Sequence, residues 1–279
     1  LPGGTGGGDR PVTVRAADNP HRAPVAQRLR PADAPPVEDQ RVRDRAPRLG
    51  RIERAQPGLD GLRVVALRLF SDGPHRKVDD EAFGGGPGMV LAAPPLFAAI
   101  EALRDEDGVP PAHVLYLSPR GRRLDAAYAR ELAGRPRLVL VCGRYEGVDE
   151  RVREAGLFDG EVSIGDFVLS GGEAAALALL EAVSRFVPGV VGEADSVRLD
   201  SFEDGLLDYP HYTRPREFRG LAVPEELLSG HHERIRRFRR EQQLEQTARY
   251  RPDLLERFVP SNEEDRDLLA RVARRLRNP

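Results

Sequence analysis

The chain has 279 residues, a net charge of −2 and 32% charged residues. It is long enough for one large or two ordinary domains, and it is no polycation that nucleic acid would attract as a whole. A single cysteine excludes a disulfide framework, no apolar run approaches the roughly 20 residues that span a bilayer, and no apolar leader opens the chain, so the composition predicts a cytoplasmic protein without a membrane partner.

Leu1–Gly61 is rich in Gly, Pro, Arg, Asp and Ala, and its apolar residues follow no period. Such text cannot offset the entropy of ordering it, and residues 1–61 read as a disordered or mistranslated segment. Order begins at Leu62. The run Leu62–Phe70 predicts a strand, broken by Ser71–Pro74. His75–Asp80 is charged, and Phe83–Met89 holds three consecutive glycines. That predicts a loop, either merely flexible or closing its backbone over a ligand or partner. Pro94-Pro95 suits a helix start, and Leu96, Ile100 and Leu103 carry the helix to about Arg104.

Val114–Leu117 predicts a short strand ended by Ser118–Gly121, Asp125–Leu132 a helix, and Leu138–Cys142 a second strand stopped by Gly143. Strand–helix–strand with short connections is a parallel α/β pattern, whose strand ends share the edge where ligands collect. Arg144–Glu154 reads as a charged turn and short helix, then another short strand and two glycine corners, Ser163–Gly165 and Ser170–Gly172. Glu146 follows a strand end, where a carboxylate is apt for function, whereas Asp149, Glu150, Arg151 and Arg153 read as a solvated face. Cys142 reads as an inert core thiol. Glu173–Phe186 predicts a helix with Leu177, Leu180, Val183 and Val187 on one stripe, stopped by Pro188-Gly189. Arg185 lies off that stripe, either solvated or held near the site.

Val190–Asp204 has the composition of a linker and carries Asp195, Asp200 and Asp204. The arm after Gly205 holds Pro210, Pro215 and two tyrosines. Its histidines lack metal-ligand spacing, so no metal site is assigned. His232–Arg249 predicts a helix. Residues 231–251 hold seven arginines against three glutamates, the chain's basic patch, with Arg236, Arg237 and Arg240 placed for phosphate contact or simply solvated. Glu263–Leu276 predicts a last helix burying Leu268, Leu269, Val272 and Leu276. No P-loop, nucleophile elbow, HExxH or CxxC occurs. The residues alone leave two classes open: an enzyme acting on nucleic acid, or a nucleic-acid-binding module regulated by a small ligand.

Several blocks go further: HRKVDDEAFGGGPGMV (75–90), YLSPRGR (116–122), LVCGRYEGVDERV (140–152), SIGDFVLSGGE (163–173), SRFVPGVVG (184–192), DSFEDGLLDYPHYTRP (200–215) and VPEELLSGHH (223–232). With the RRFRREQ run, these resemble the bacterial tRNA (guanine-37-N1)-methyltransferases. The resemblance implies a trefoil-knotted α/β domain of the SPOUT superfamily at 62–190, a linker at 191–204 and a helical tRNA-binding domain at 205–279. It implies transfer of a methyl group from S-adenosylmethionine to N1 of guanosine 37, a magnesium ion, and a homodimer whose site lies between subunits, near Asp79–Asp80 and Gly84–Met89. The cofactor's adenine would lie against the backbone of Leu117, Ser118 and Ile164, near Tyr116, Pro119, Gly143, Gly165, Leu169 and Gly171, with Glu146 at its charged end. Asp200 would be the general base, with Glu146 as rival, and Arg185 would steady the guanine O6. Phe167 stands where the family usually has Tyr, and Arg120 where Gln is frequent. The family's opening strand and helix belong before Leu62 and are not found there, which keeps a second reading open: a tRNA-binding module without catalysis.

Overall fold

The computed structural model describes residues 61–106, 108–190 and 200–277. The segment 1–60 and most of the linker, with Asp195, lie outside the described residues. The chain divides into two compact units, with the boundary between Val190 and Val191.

In the first unit, β1 (Asp79–Asp80) pairs antiparallel with β2 (Val90–Leu91), and the glycine-rich loop joins them. Then come α1 (Ala93–Arg104), β3 (His113–Arg123), α2 (Ala126–Ala133), β4 (Leu138–Cys142), α3 (Arg151–Glu154), β5 (Gly160–Ser163) and α4 (Glu173–Ser184). Proline in its first turn starts α1, because that N–H needs no partner there. Asp125 caps α2 by accepting from the Tyr128 N–H at 2.7 Å. The sheet runs β4-β3-β5, all parallel, with Val114 opposite Val139 and Leu115 opposite Gly160.

The twofold alternation of β3 divides the core. Val114 and Tyr116 join α1, while Leu115 and Leu117 join α2 and α4 on the other face. Fully burying one such apolar side chain contributes about 1.5–3 kcal/mol. Arg137, 2% exposed, extends from the start of β4 to Glu106, which also binds Arg63. The Arg63 guanidinium holds the Glu106 carboxyl below the usual carboxylate range.

Leu62–Phe70 forms no strand. A 3-10 helix occupies Leu67–Phe70, since no neighbouring strand offers a ladder among the described residues, and Val65 and Leu67 pack on the core instead. β3 does not end at Leu117 but continues to Arg123, and pairing with β5 resumes at Arg122 after a register shift. Gly121 permits this, because a Cβ there would lie 2.3 Å from the Val162 nitrogen. On α4 the buried face is Ala175, Ala176, Leu179 and Val183, whereas Leu177 is 67% exposed.

The second unit holds a small hairpin, β6 (Glu217–Phe218) with β7 (Leu221–Ala222), and the helices α5 (Glu225–Leu228), α6 (His232–Tyr250), α7 (Pro252–Leu255) and α8 (Glu263–Arg277). Its core is Leu206, Leu244, Leu268 and Val272, with Leu255, Phe258 and Leu269 packed against them. Leu276, expected inside, is 37% exposed because it lies at the end of the helix, beyond that cluster. Asn262 accepts from the Asp265 N–H at 2.8 Å and so caps α8.

Candidate functional site

The middle of β3, the loop after β4, the end of β5 and the loop before α4 surround a cavity of about 230 Å³. The loops are stitched together by their backbones. The Gly172 N–H donates to the Gly143 carbonyl at 2.8 Å, and Arg144 bridges to Gly171 in the antiparallel sense. The glycine-rich loop is held to the same region, since the Glu146 N–H donates to the Met89 carbonyl at 3.0 Å. Tyr145 sits at φ 58°, a conformation uncommon for a non-glycine residue.

The sequence reading singled out Tyr116, Leu117, Ser118, Pro119 and Gly143 from the first two strand ends, and all five line this cavity. So do Glu146, Ile164, Gly165, Leu169 and Gly171. Gly172, the end of the second glycine corner, lines it as well, and Arg144, Tyr145, Phe167 and Val168 also line it and were missed, although each lies close to a glycine corner. Gly165 shows how tightly the wall is drawn: at φ 154° its Cβ would meet the Phe167 ring at 2.5 Å. Ser163 Oγ accepts from the Gly165 N–H at 3.2 Å and fixes that corner. The result is a cleft of apolar side chains edged by backbone amides and carbonyls, suited to a flat heterocycle with donors and acceptors on its rim.

Beneath it, Tyr116 stacks on Phe158 with centroids 5.0 Å apart, and the Arg153 guanidinium lies 5.0 Å from its ring. Burial pushes the Tyr116 hydroxyl above its ordinary pKa, so it stays a neutral donor. Arg153 is held by Glu161 at 2.6 Å and Glu150 at 2.5 Å, so these three charges form a braced floor. Burial raises the Cys142 thiol to about 11, in keeping with an inert core thiol. Arg185 is exposed at the C-terminal end of α4, and Asp200 opens the described part of the second unit, half-buried. Neither lines the cavity.

On α6 the basic patch is answered by acids. Arg236 bonds Glu233 and Glu264, at 3.1 and 2.8 Å, and Arg237 lies 3.8 Å from Glu264. Arg240 binds Asp265 in two contacts and also Asp204, with its side chain only 18% exposed. The net positive charge counted along 231–251 is therefore offset in space by the acidic first turn of α8. Among the described residues no group of three or more His, Cys, Asp or Glu gathers into a cation site, and no helix is long and apolar enough to cross a membrane.

A family model described as tRNA (Guanine-1)-methyltransferase TrmD matches residues 50–257, beginning inside the segment that the sequence reading sets apart. The chain is 52% identical to the tRNA (guanine-N(1)-)-methyltransferase of Geobacter metallireducens, over 77% of this chain and 86% of that protein. It is 53% identical to the protein of the same description from Moorella thermoacetica, over 76% and 84% of the two chains. With that of Geobacter sulfurreducens the identity is 55%, over 75% and 83%.

Proposed function

The chain belongs to the family of tRNA guanine-N1-methyltransferases, trefoil-knotted α/β enzymes of the SPOUT superfamily that use S-adenosylmethionine, and from this we propose how its residues divide the work. The cofactor occupies the loop-lined cavity of the first unit, its adenine edge read by the backbone of Leu117, Ser118 and Ile164. The observation that carries this is the meeting of the middle of β3, the ends of β4 and β5 and two glycine corners around one cleft with an apolar wall and a main-chain rim. When bound, the cofactor supplies a sulfonium-activated methyl group.

The substrate atom is N1 of guanosine 37. In neutral guanine N1 carries a proton and is no nucleophile, so a carboxylate must take that proton as the methyl leaves sulfur. Asp200 is assigned this role. Arg185 steadies O6 as negative charge builds on the base, a cation aimed at developing charge. Glu146 borders the cleft and serves the charged end of the cofactor. Magnesium would strengthen the same stabilisation. Among the described residues no cluster of His, Cys, Asp or Glu offers it a ready set of ligands. Arg236 and Arg237, about half exposed, touch the RNA backbone, and Arg240 ties α6 to Asp265 of α8. The enzyme acts as a homodimer. Phe167, Val168, Leu169 and Leu177 expose apolar surface around or near the cleft, which a second subunit would cover. The composition and the lone cysteine support a cytoplasmic location.

Two measurements test this reading. Calorimetry with S-adenosylmethionine and with its demethylated product should give saturable heat. Methyl transfer should occur to a tRNA with guanine at position 37 and not to one with adenine there. A folded sample that gives no heat with either compound removes the cofactor from this cavity.

A further inference from the structure

The second unit has a cavity of its own, about 430 Å³, lined among the described residues by positions between Tyr209 and Arg239. That volume lies within the roughly 300–1,000 Å³ typical of small-ligand sites. One wall is aromatic. The Tyr209 and His211 rings lie 4.7 Å apart at 39°, and the Arg239 guanidinium stands 4.8 Å from the Tyr209 ring. Asp208 Oδ2 lies 2.8 Å from His211 Nε2 and fixes the imidazole from the side. Tyr212 lines the same cavity and is 51% exposed. Leu227 and Ile235 form an aliphatic floor.

The charge on this cavity differs from that of α6. Arg214, Arg216 and Arg239 line it, no carboxylate does, and among the described residues none of the three arginines is ion-paired. Arg236, Arg237 and Arg240 of α6 are answered by acids, whereas Arg239 on the same helix and Arg214 and Arg216 of the arm are not. Aromatic faces beside unanswered guanidinium groups are what an unpaired nucleotide needs: a π-surface for the base and cations for its phosphate. An acidic peptide would meet the cations but leave the aromatic wall without a flat partner.

We propose that this cavity binds one unpaired nucleotide of the substrate tRNA, its base against the wall that Tyr209, His211 and Tyr212 form and its phosphate toward Arg214 and Arg216. The inference rests on tRNA being the substrate and adds a contact distinct from the methylated base.

The test is equilibrium binding of a tRNA transcript to the full chain at several salt concentrations. Tyr212→Ala should weaken binding about 5- to 150-fold, the range of one base–aromatic stack, without changing the salt slope. Tyr212→Phe should retain the affinity. Arg216→Ala should lower the salt slope by about one. Ultraviolet crosslinking of wild-type protein to tRNA, mapped by peptide mass, should mark Tyr209–Tyr212 and needs no variant. Wild-type affinity in Tyr212→Ala, or no crosslink in this arm, overturns the proposal while tRNA remains the substrate. A wild-type protein without tRNA affinity would overturn the substrate reading and this inference with it.

Discussion

The two units are held together by different physics. Among the described residues, the first buries clusters of fifteen and eleven residues on the two faces of its parallel sheet. The second has four buried apolar residues at its centre and joins α6 to α8 largely through arginine–carboxylate contacts. Apolar burial is non-directional, so the first unit can turn its strand ends to shaping a cavity. Ion pairs are directional and sensitive to proton and salt. A unit built on them holds arginines in place with acids, so few remain for a polyanion. Charge counted along a helix thus overstates what that helix offers to RNA.

The contrast can be broken first at Asp265. It is 2% exposed and accepts two contacts from Arg240. Asp265→Ala should destabilise the second unit by about 3 kcal/mol, the low end for breaking a buried pair, since Arg240 keeps Asp204. Arg240 lowers the Asp265 pKa below the ordinary value, so its contribution is present above the unfolded carboxyl pKa and lost as pH falls through the folded one. Acid weakens both units in this sense, since Glu106 of the first is also held down, but the second, with the smaller apolar core, should loosen first, as followed by separate spectroscopic probes of the two. Coincident transitions at every pH would remove the contrast.

The next effect is chemical. With Cys142 raised to about 11 from 9.0, its thiolate fraction at pH 8 is about 100-fold below that of a free thiol. Alkylation of the native protein should be slowed at least in that proportion, and unfolding should restore it. Gly121→Ala comes third. The new methyl would overlap the Val162 backbone, and overpacking of this kind costs about 1–3 kcal/mol. The loss should appear in the first unit alone.

The smallest effect on stability is expected at Leu177, an exposed position where substitution shifts stability by within about 0.5 kcal/mol. Leu177→Asp should nonetheless lower the mass seen in sedimentation from two chains to one, if that apolar face meets a second subunit. An unchanged dimer would place the interface elsewhere, and a monomeric wild type would remove it.

Much of the first unit was legible in the sequence because its signals are local. Pro94-Pro95, the Asp125 cap and the run Leu138–Cys142 mark element ends through backbone geometry. The cleft was legible for the same reason, since glycine corners after strands announce exposed main chain. What stayed hidden depends on contacts distant in sequence. Ser118-Pro119-Arg120-Gly121 reads as a stop until β5 lies alongside and needs Gly121 for its close approach. The run AAALALL is apolar on every side of α4, so periodicity could not separate the buried alanines from the exposed Leu177. The pairing of α6 arginines with Glu264 and Asp265 joins residues 25 to 28 positions apart, which no local pattern records.

The central claim, that the base comes from the segment opening the second unit and not from the cofactor cleft, is tested most directly by single-turnover methyl transfer at saturating tRNA and cofactor. Asp200→Asn should cut the rate at least roughly 100-fold, the low end for a lost general base, while leaving cofactor affinity nearly unchanged. Near-normal rates in Asp200→Asn, with Glu146→Gln alone inactive, would contradict the account and move the base to Glu146.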